Sequence, residues 1–222
     1  MKCVVLLSGG IDSTVMMYAL MANHELWPLT ITYGQRHVKE VNAARKVCIA
    51  RNADLAARWE HLDLSLLSSF LKCTLTGYGE VPDGEYDVDT IKAMFVPNRN
   101  MIFLSIAAGY ACSLGAECVA YAAHHNDAVV YPDCRPEFVK SVFETILMGT
   151  GGKVSVLAPF LHFTKAEIVK LGRGLVVPFR STWSCYKGGE LHCGVCPTCL
   201  DRKKAFEVSG IEDPTDYADV KA

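Results

Sequence analysis

Hydrophobic positions along the chain follow two periods. Short segments at Lys2–Leu7, Leu26–Tyr33, Arg58–Asp63, Cys118–Ala122 and Val154–Leu157, most of them rich in apolar residues, have the length of strands. Between and after them, apolar residues return at helical spacing over Asp12–Ala22, Val38–Asn52, Arg99–Leu114, Pro136–Met148 and Thr164–Leu171. Thr164 with Glu167 three residues on makes a capping box at the start of the last of these. Strand and helix alternate in this way through the first two-thirds of the chain, which predicts an α/β fold on a parallel sheet of five strands.

Two segments break the alternation. Cys73–Val96 is rich in Gly, Asp and Thr, and a loop of that length within a compact domain is expected to be a lid or binding element. From Gly172 onward the apolar periodicity fades into a cysteine-rich tail. Residues 1–171 therefore read as the α/β domain and 172–222 as a subdomain packed on it.

Composition narrows this picture without redirecting it. Half of the 222 residues are hydrophobic and 21 % are charged, which is ordinary for a globular protein. The formal net charge of −2 offers no overall attraction to nucleic acid or to anionic membrane. The apolar run after Lys2 stops at Leu7, short of a secretion signal, and the uncharged stretch Asn100–Ala116 is too short and too polar to span a bilayer. A cytoplasmic protein is expected. In that reducing compartment its ten cysteines stay unpaired.

The first candidate chemistry lies where the first strand meets the first helix. Ser8-Gly9-Gly10-Ile11-Asp12-Ser13-Thr14 is a tight turn that leaves successive backbone N–H groups pointing into one concavity at a helix N-terminus, and such a concavity attracts phosphate. Ser8, Ser13 and Thr14 add hydroxyl donors. Asp12 would repel a phosphate unless a divalent cation stood between them, so the loop implies Mg²⁺. No Walker lysine follows, so this is not the P-loop of G-x-x-x-x-G-K-[ST].

The second lies in the tail. Cys185, Cys193, Cys196 and Cys199, spaced C-x7-C-x2-C-x2-C, suit a closed tetrahedral Zn²⁺ site of structural type, with His192 as an alternative ligand for one sulfur. An iron–sulfur cluster is the rival. In the ferredoxin run, however, the fourth cysteine follows three residues after the third and precedes a proline, whereas Lys203 and not cysteine lies past Cys199.

Ligands of open α/β sheets bind outside the carboxyl ends of the strands. The loops there supply Tyr33-Gly34-Gln35-Arg36-His37, with Arg36 suited to a phosphate or carboxylate, and Pro97-Asn98-Arg99-Asn100, a second anion candidate. They also supply Ala123-His124-His125-Asn126-Asp127, whose adjacent histidines point to opposite sides and so do not share a metal ion. In Tyr131-Pro132-Asp133-Cys134-Arg135-Pro136, Asp133 either caps the following helix or accepts from the N–H edge of a guanine-like base. Cys134 reads as a packed thiol in preference to a nucleophile.

Taken together, L-S-G-G-I-D-S-T, Y-G-Q-R-H, V-P-N-R-N-M-I-F-L-S, Y-P-D-C-R-P-E-F, T-K-A-E-I, T-W-S-C-Y and C-G-V-C-P-T-C-L-D-R closely resemble the 7-cyano-7-deazaguanine synthase family of N-type ATP pyrophosphatases. The resemblance runs from about Cys3 to Tyr217. It implies a doubly wound, adenine nucleotide α-hydrolase-like sheet and a homodimer. It also implies zinc at the four tail cysteines, and ATP with Mg²⁺ at Leu7, Ser8, Gly9, Gly10, Ile11, Asp12, Ser13, Thr14, Val15, Met16 and Met17. Asp12, Arg36, Arg99, Asp127, Asp133 and Lys165 become the catalytic candidates, and Tyr131, Asp133 and Arg135 the substrate contacts. At His124–Val130 the chain departs from a pattern common among relatives. The implied reaction converts 7-carboxy-7-deazaguanine to its nitrile with ammonia and ATP, in the queuosine pathway of tRNA modification. Two rivals stand beside it: a relative that adenylates tRNA before sulfur insertion, and a non-catalytic nucleotide sensor.

Overall fold

A computed structural model describes residues 1–36 and 38–218. His37, the end of the Tyr33–His37 candidate loop, and residues 219–222, the end of the expected subdomain, lie outside the described residues. The strands are β1 (Lys2–Leu6), β2 (Glu25–Thr32), β3 (Glu60–Asp63), β4 (Cys118–Ala120) and β5 (Ser155–Leu157). They form one parallel sheet in the order β3-β2-β1-β4-β5. All five expected strands are present, each trimmed or shifted by a residue or two.

The chain begins in the middle of the sheet, builds outward through β2 and β3, then crosses back to add β4 and β5. Successive side chains of a strand point to opposite faces, and both faces are covered. Cys3, Val5 and Leu7 join Leu26, Cys118 and Ala120 in one core, while Val4 packs with Leu29, Ile31, Val119 and Tyr121 in another. The first core is roofed by α1 (Ile11–Leu20), α2 (Lys39–Arg51), α3 (Ala53–Arg58), α8 (Lys165–Gly174) and α9 (Pro197–Ser209). The second is roofed by α5 (Arg99–Leu114) and α7 (Pro136–Gly149). This is the doubly wound α/β arrangement. Its reversal point lies between β1 and β4, where the strand order leaves a crevice at the carboxyl ends.

Pro28 shows how the register tolerates a residue with no N–H. Leu29 bonds toward β1, through Leu7 N to Leu29 O at 2.9 Å, so Pro28 faces the β3 side. There β3 pairs only from Leu29 onward, and no ladder bond is lost.

The Cys73–Val96 segment is built rather than loose. Asp87 and Thr90 form a capping box on the short helix α4 (Val88–Met94). Leu75, Val81, Met94 and Val96 pack into a third core with Tyr33 and the tail cysteines. Gly84 N donates to Val195 O at 2.9 Å, and Lys187 pairs with Asp83 at 2.5 Å. The tail in turn joins the first core through Ala205 and Phe206 of α9. Neither α9 nor the six-residue α6 (His125–Val130) carries the apolar period that signals a helix.

Candidate active site

The crevice at the reversal point is a cavity of about 230 Å³. One end is the loop after β1. Gly9 has φ +88°, and a Cβ there would meet Glu40 O at 2.4 Å and Ala44 N at 2.6 Å. This glycine therefore lets the loop lie against α2, and does not open the concavity. Ser13 Oγ binds Ser8 N at 3.2 Å and Ser8 Oγ at 3.0 Å, and Ser8 Oγ accepts from Gly10 N at 3.2 Å. The hydroxyls shape the turn from within. Leu7, Ser8, Gly10, Ile11, Asp12 and Ser13 line the cavity, where the first-turn N–H groups of α1 lack intrahelical partners. Thr14 is instead fully buried with no hydrogen-bond partner for its hydroxyl, and Val15, Met16 and Met17 are core residues beneath the helix.

A charge cluster adjoins the loop. Lys165 Nζ lies 2.7 Å from Asp201 Oδ2 and 3.4 Å from Asp12 Oδ2. His124 Nε2 lies 3.3 Å from Asp127 Oδ2 and 3.7 Å from Asp12 Oδ2. Burial works to raise the Asp12 carboxyl, but Lys165 and His124 outweigh it and hold it well below the usual carboxylate range. Burial likewise opposes the charge on Lys165, yet Asp12 and Asp201 push its ammonium far up. Asp127, facing the same cavity, is raised by burial against the pull of His124. His124 itself is lowered by burial but raised on balance by Asp127 and Asp12.

The other end is aromatic. Tyr33, Tyr86, Phe103, Tyr121, Tyr131 and Tyr186 line it together with Arg99 and Asn100. Arg99 donates to Tyr33 OH at 3.1 Å and lies 5.7 Å from the centre of that ring. Burial holds Tyr131 up at about 12, so it stays a phenol at any ordinary pH. Asp133 is not part of the wall and does not cap the helix that follows it. Its Oδ2 accepts from Asn100 N at 3.0 Å, which fixes the start of α5 and thereby Arg99 and Asn100. Asn100 Nδ2 reaches Cys134 Sγ at 3.4 Å, and burial raises that thiol, as expected of a packed cysteine.

Two candidates point elsewhere. Arg36 is exposed and donates to Gly77 O at 3.1 Å, and Arg135 is exposed and donates to Ala128 O at 3.3 Å. Of the two adjacent histidines, His124 is buried and His125 exposed. The cavity also draws on residues singled out only within longer motifs: Trp183, Ser184 and Tyr186 of T-W-S-C-Y, and Asp201 of C-L-D-R. Nothing in their local spacing marks them, because they reach the cavity only once the tail folds over it.

Behind this wall the Cys185, Cys193, Cys196 and Cys199 sulfurs lie within 4.8 Å of one another, a set that could hold a metal ion. Hydrogen bonds from Cys185 and Cys199 hold the Cys196 thiol far below its usual value, favouring a thiolate there. His192 is otherwise engaged, accepting from Ser184 N at 3.0 Å.

Fold and site together define a doubly wound α/β protein in which a glycine loop at a helix N-terminus, a buried charge cluster and a thiol cluster surround one crevice. The model of the family "Queuosine biosynthesis protein QueC" matches residues 2–210, and the chain belongs to that family. It is 48 % identical over 219 residues to the 7-cyano-7-deazaguanine synthase of Archaeoglobus fulgidus, covering 96 % of this chain and 89 % of the relative. To the protein of that name from Pseudoalteromonas translucida it is 42 % identical, covering 97 % and 98 %, and to that from Rhizobium etli 44 %, covering 99 % and 93 %. Among solved structures it is similar to the U34-tRNA thiolase NcsA from Methanococcus maripaludis with its [4Fe-4S] cluster, at 16 % identity and a TM-score of 0.48. That match covers 95 % of this chain and 64 % of the thiolase chain, just under two-thirds of it.

Proposed function

We propose that this chain is a 7-cyano-7-deazaguanine synthase, converting 7-carboxy-7-deazaguanine and ammonia to the nitrile while splitting ATP into AMP and pyrophosphate. The observation that carries this reading is one cavity with two unlike ends, an anion-binding loop beside Lys165 and an aromatic slot beside Arg99. Triphosphate suits the first and a flat purine-like acid the second.

A carboxylate is a poor acyl donor because its leaving group would be oxide. Attack of a substrate carboxylate oxygen on the α-phosphorus expels pyrophosphate and leaves an acyl adenylate. Ammonia displaces AMP to give the amide, losing a proton. The amide oxygen then attacks a second ATP, and loss of AMP with two protons from nitrogen completes the nitrile. The protein's share is positioning and charge. The first-turn N–H groups of α1, with Lys165, hold departing pyrophosphate, and Arg99 holds the substrate carboxylate. Tyr131 and its neighbours pack the ring, and Asp127, with its raised carboxyl, takes up protons from nitrogen. Arg36, Asp133 and Arg135 act from outside the cavity wall, Asp133 by fixing α5.

Three carboxylates, Asp12, Asp127 and Asp201, face one ammonium at the loop end, and the buried Asp12 Oδ1 has no partner. That excess fits Mg²⁺, which would neutralise phosphate charge when bound, with Asp12 as its link to the loop. In the tail, tetrahedral zinc with Zn–S bonds of about 2.3 Å has sulfur edges of about 3.8 Å, and Cys193 and Cys199 stand 3.9 Å apart. Four thiolates around a cube of irons would stand farther apart, so zinc fits better. We keep the division at residue 172 as one of task, nucleotide on the sheet and zinc in the tail. The homodimer rests on the resemblance alone, and light scattering tests it. A cytoplasmic location is supported by ten free thiols.

Incubation with the acid, ammonium and Mg²⁺–ATP tests the reading. Nitrile with AMP and pyrophosphate is expected, with the amide accepted at half the ATP per nitrile and unmodified guanine inert. ADP as product, or sulfur transfer to tRNA without nitrile, overturns it.

A further inference from the structure

His124 serves the site in a way that its place in the chain does not announce. It is the N-cap of α6, where Nδ1 accepts from Asp127 N at 3.3 Å. Asn, Asp, Ser and Thr make that bond with a shorter side chain and are the preferred caps, so the cap alone gives no reason for an imidazole. What the ring adds is a second nitrogen reaching farther into the charge cluster. A nitrogen that accepts a hydrogen bond carries no proton, so the proton of the neutral ring sits on Nε2. Nε2 makes no hydrogen bond, but it lies at ion-pair distance from two carboxylates, Asp127 Oδ2 at 3.3 Å and Asp12 Oδ2 at 3.7 Å, the latter oxygen shared with Lys165. The ring is 1 % exposed, so water does not compete for that proton. Its backbone is pinned on the following side by His125 N donating to Phe163 O at 3.0 Å.

We propose that His124 is a positioning residue, turning its buried Nε2–H toward the carboxylates of Asp12 and Asp127 and thereby setting the direction in which Asp12 presents its unpartnered oxygen to the cation of the nucleotide. The assignment rests on the reading of the loop as an Mg²⁺–ATP site. It makes His124 a bearer of an N–H at Nε2 and excludes it as a metal ligand, since a protonated Nε2 has no lone pair to offer.

Two measurements test it on the full-length protein. Long-range proton–nitrogen NMR of histidine-labelled protein at pH 8 should show His124 with a bare Nδ1 and a protonated Nε2; the opposite tautomer overturns the proposal without any assay of activity. The second uses a pair of variants. His124→Asn keeps a good cap but loses the reach, so it should melt within about 3 °C of the parent, a shift below roughly 1 kcal/mol for a chain of this size. It should need about tenfold more Mg²⁺ for half-maximal AMP release, as loss of one N–H facing a buried carboxylate pair predicts, with KM for the acid unchanged. His124→Gln, whose amide nitrogen reaches the Nε2 position, should restore at least half of the Mg²⁺ response. An unchanged Mg²⁺ response in His124→Asn, or equal impairment of both variants, overturns the role. If the parent itself releases no AMP, the functional reading has failed, while the tautomer still decides whether His124 bears an N–H at Nε2.

Discussion

Asp12 stands in the first turn of α1 with one oxygen 3.4 Å from Lys165 and the other buried without a partner. The carboxylate is held ionised by Lys165 and His124 against the cost of burial, so its charge is available at every working pH. Asp12→Ala should leave the far-ultraviolet circular dichroism unchanged and lower AMP release at saturating ATP by about 10²–10³-fold, the usual cost of removing one preorganised electrostatic group. Near-normal turnover would remove Asp12 from the mechanism. This residue is legible in the chain because S-G-G-I-D-S follows a strand and opens a helix. Asp201 is not. It contacts the same lysine at 2.7 Å from a helix that starts more than thirty positions later, and no local pattern links the two. Arg36, whose sequence neighbourhood resembles that of the true cavity residues, turns outward to Gly77. Residue type and loop position name a set of cations, and only the fold chooses among them.

At the scale of elements, the strands could be read to within a residue or two because β1, β2 and β4 are largely buried apolar runs bounded by turns, whereas β3, with Glu60, His61 and Asp63 exposed, is marked chiefly by its place in the alternation. α9 escaped, although Pro197 at its first position and Gly210 at its end, with φ +71°, are ordinary start and stop signals. Its apolar stripe is interrupted by Arg202, which is fully buried. That guanidinium donates to both Asp213 oxygens at 3.2 Å, to Thr182 Oγ1 at 2.8 Å, to Ser184 Oγ at 3.3 Å and to Phe179 O at 3.1 Å. Arg202→Met should cost about 3 kcal/mol in chemical denaturation, since the partly buried Asp213 would lose its cation and keep only Tyr217 and Thr215 as donors. The pH dependence follows from Asp213. Burial pushes its carboxyl up, but Arg202 pulls it below the ordinary range. A carboxyl lower in the folded than in the unfolded state stabilises above the unfolded value of about 3.9, and that contribution is lost as pH falls through the folded one. The stability gap between the parent and Asp213→Asn should therefore be flat above about pH 5 and shrink below it. A gap that widens on acidification would show the sign to be wrong.

For the molecule as a whole, the tail is both clamp and wall. It carries the four thiols, packs α9 into the sheet's first core, holds the 73–96 segment through Asp83 and Val195, and sets Trp183 and Tyr186 against the cavity. Structural zinc contributes about 10–16 kcal/mol of apparent binding energy in small modules, as much as the roughly 5–15 kcal/mol that stabilises a domain. Cys196→Ser, or stripping the metal with a chelator, should therefore unlock residues 183–199 to hydrogen exchange, lower solubility and abolish turnover together. Elemental analysis should find about one zinc per chain, in keeping with a closed four-thiolate site. Iron with acid-labile sulfide, or a tail still protected after metal loss, would overturn that assignment.

The sequence by itself determined the fold class, the five strands, the glycine loop after β1 and the thiol cluster, because each is written in short-range spacing: short apolar runs, the 3.6 period, a turn between strand and helix, or cysteines separated by two and seven residues; the family was carried by the resemblance of motifs spread along the chain. Only the tertiary structure decided which side chains share the cavity. It joined Asp12 to His124, Lys165 and Asp201 from four separate segments, set Asp133 against the first turn of α5, and left the Arg36 and Arg135 side chains on the exposed surface. Those choices depend on distances across the sheet's reversal point, where residues from remote parts of the chain meet and where burial, unlike spacing, sets which charges face one another.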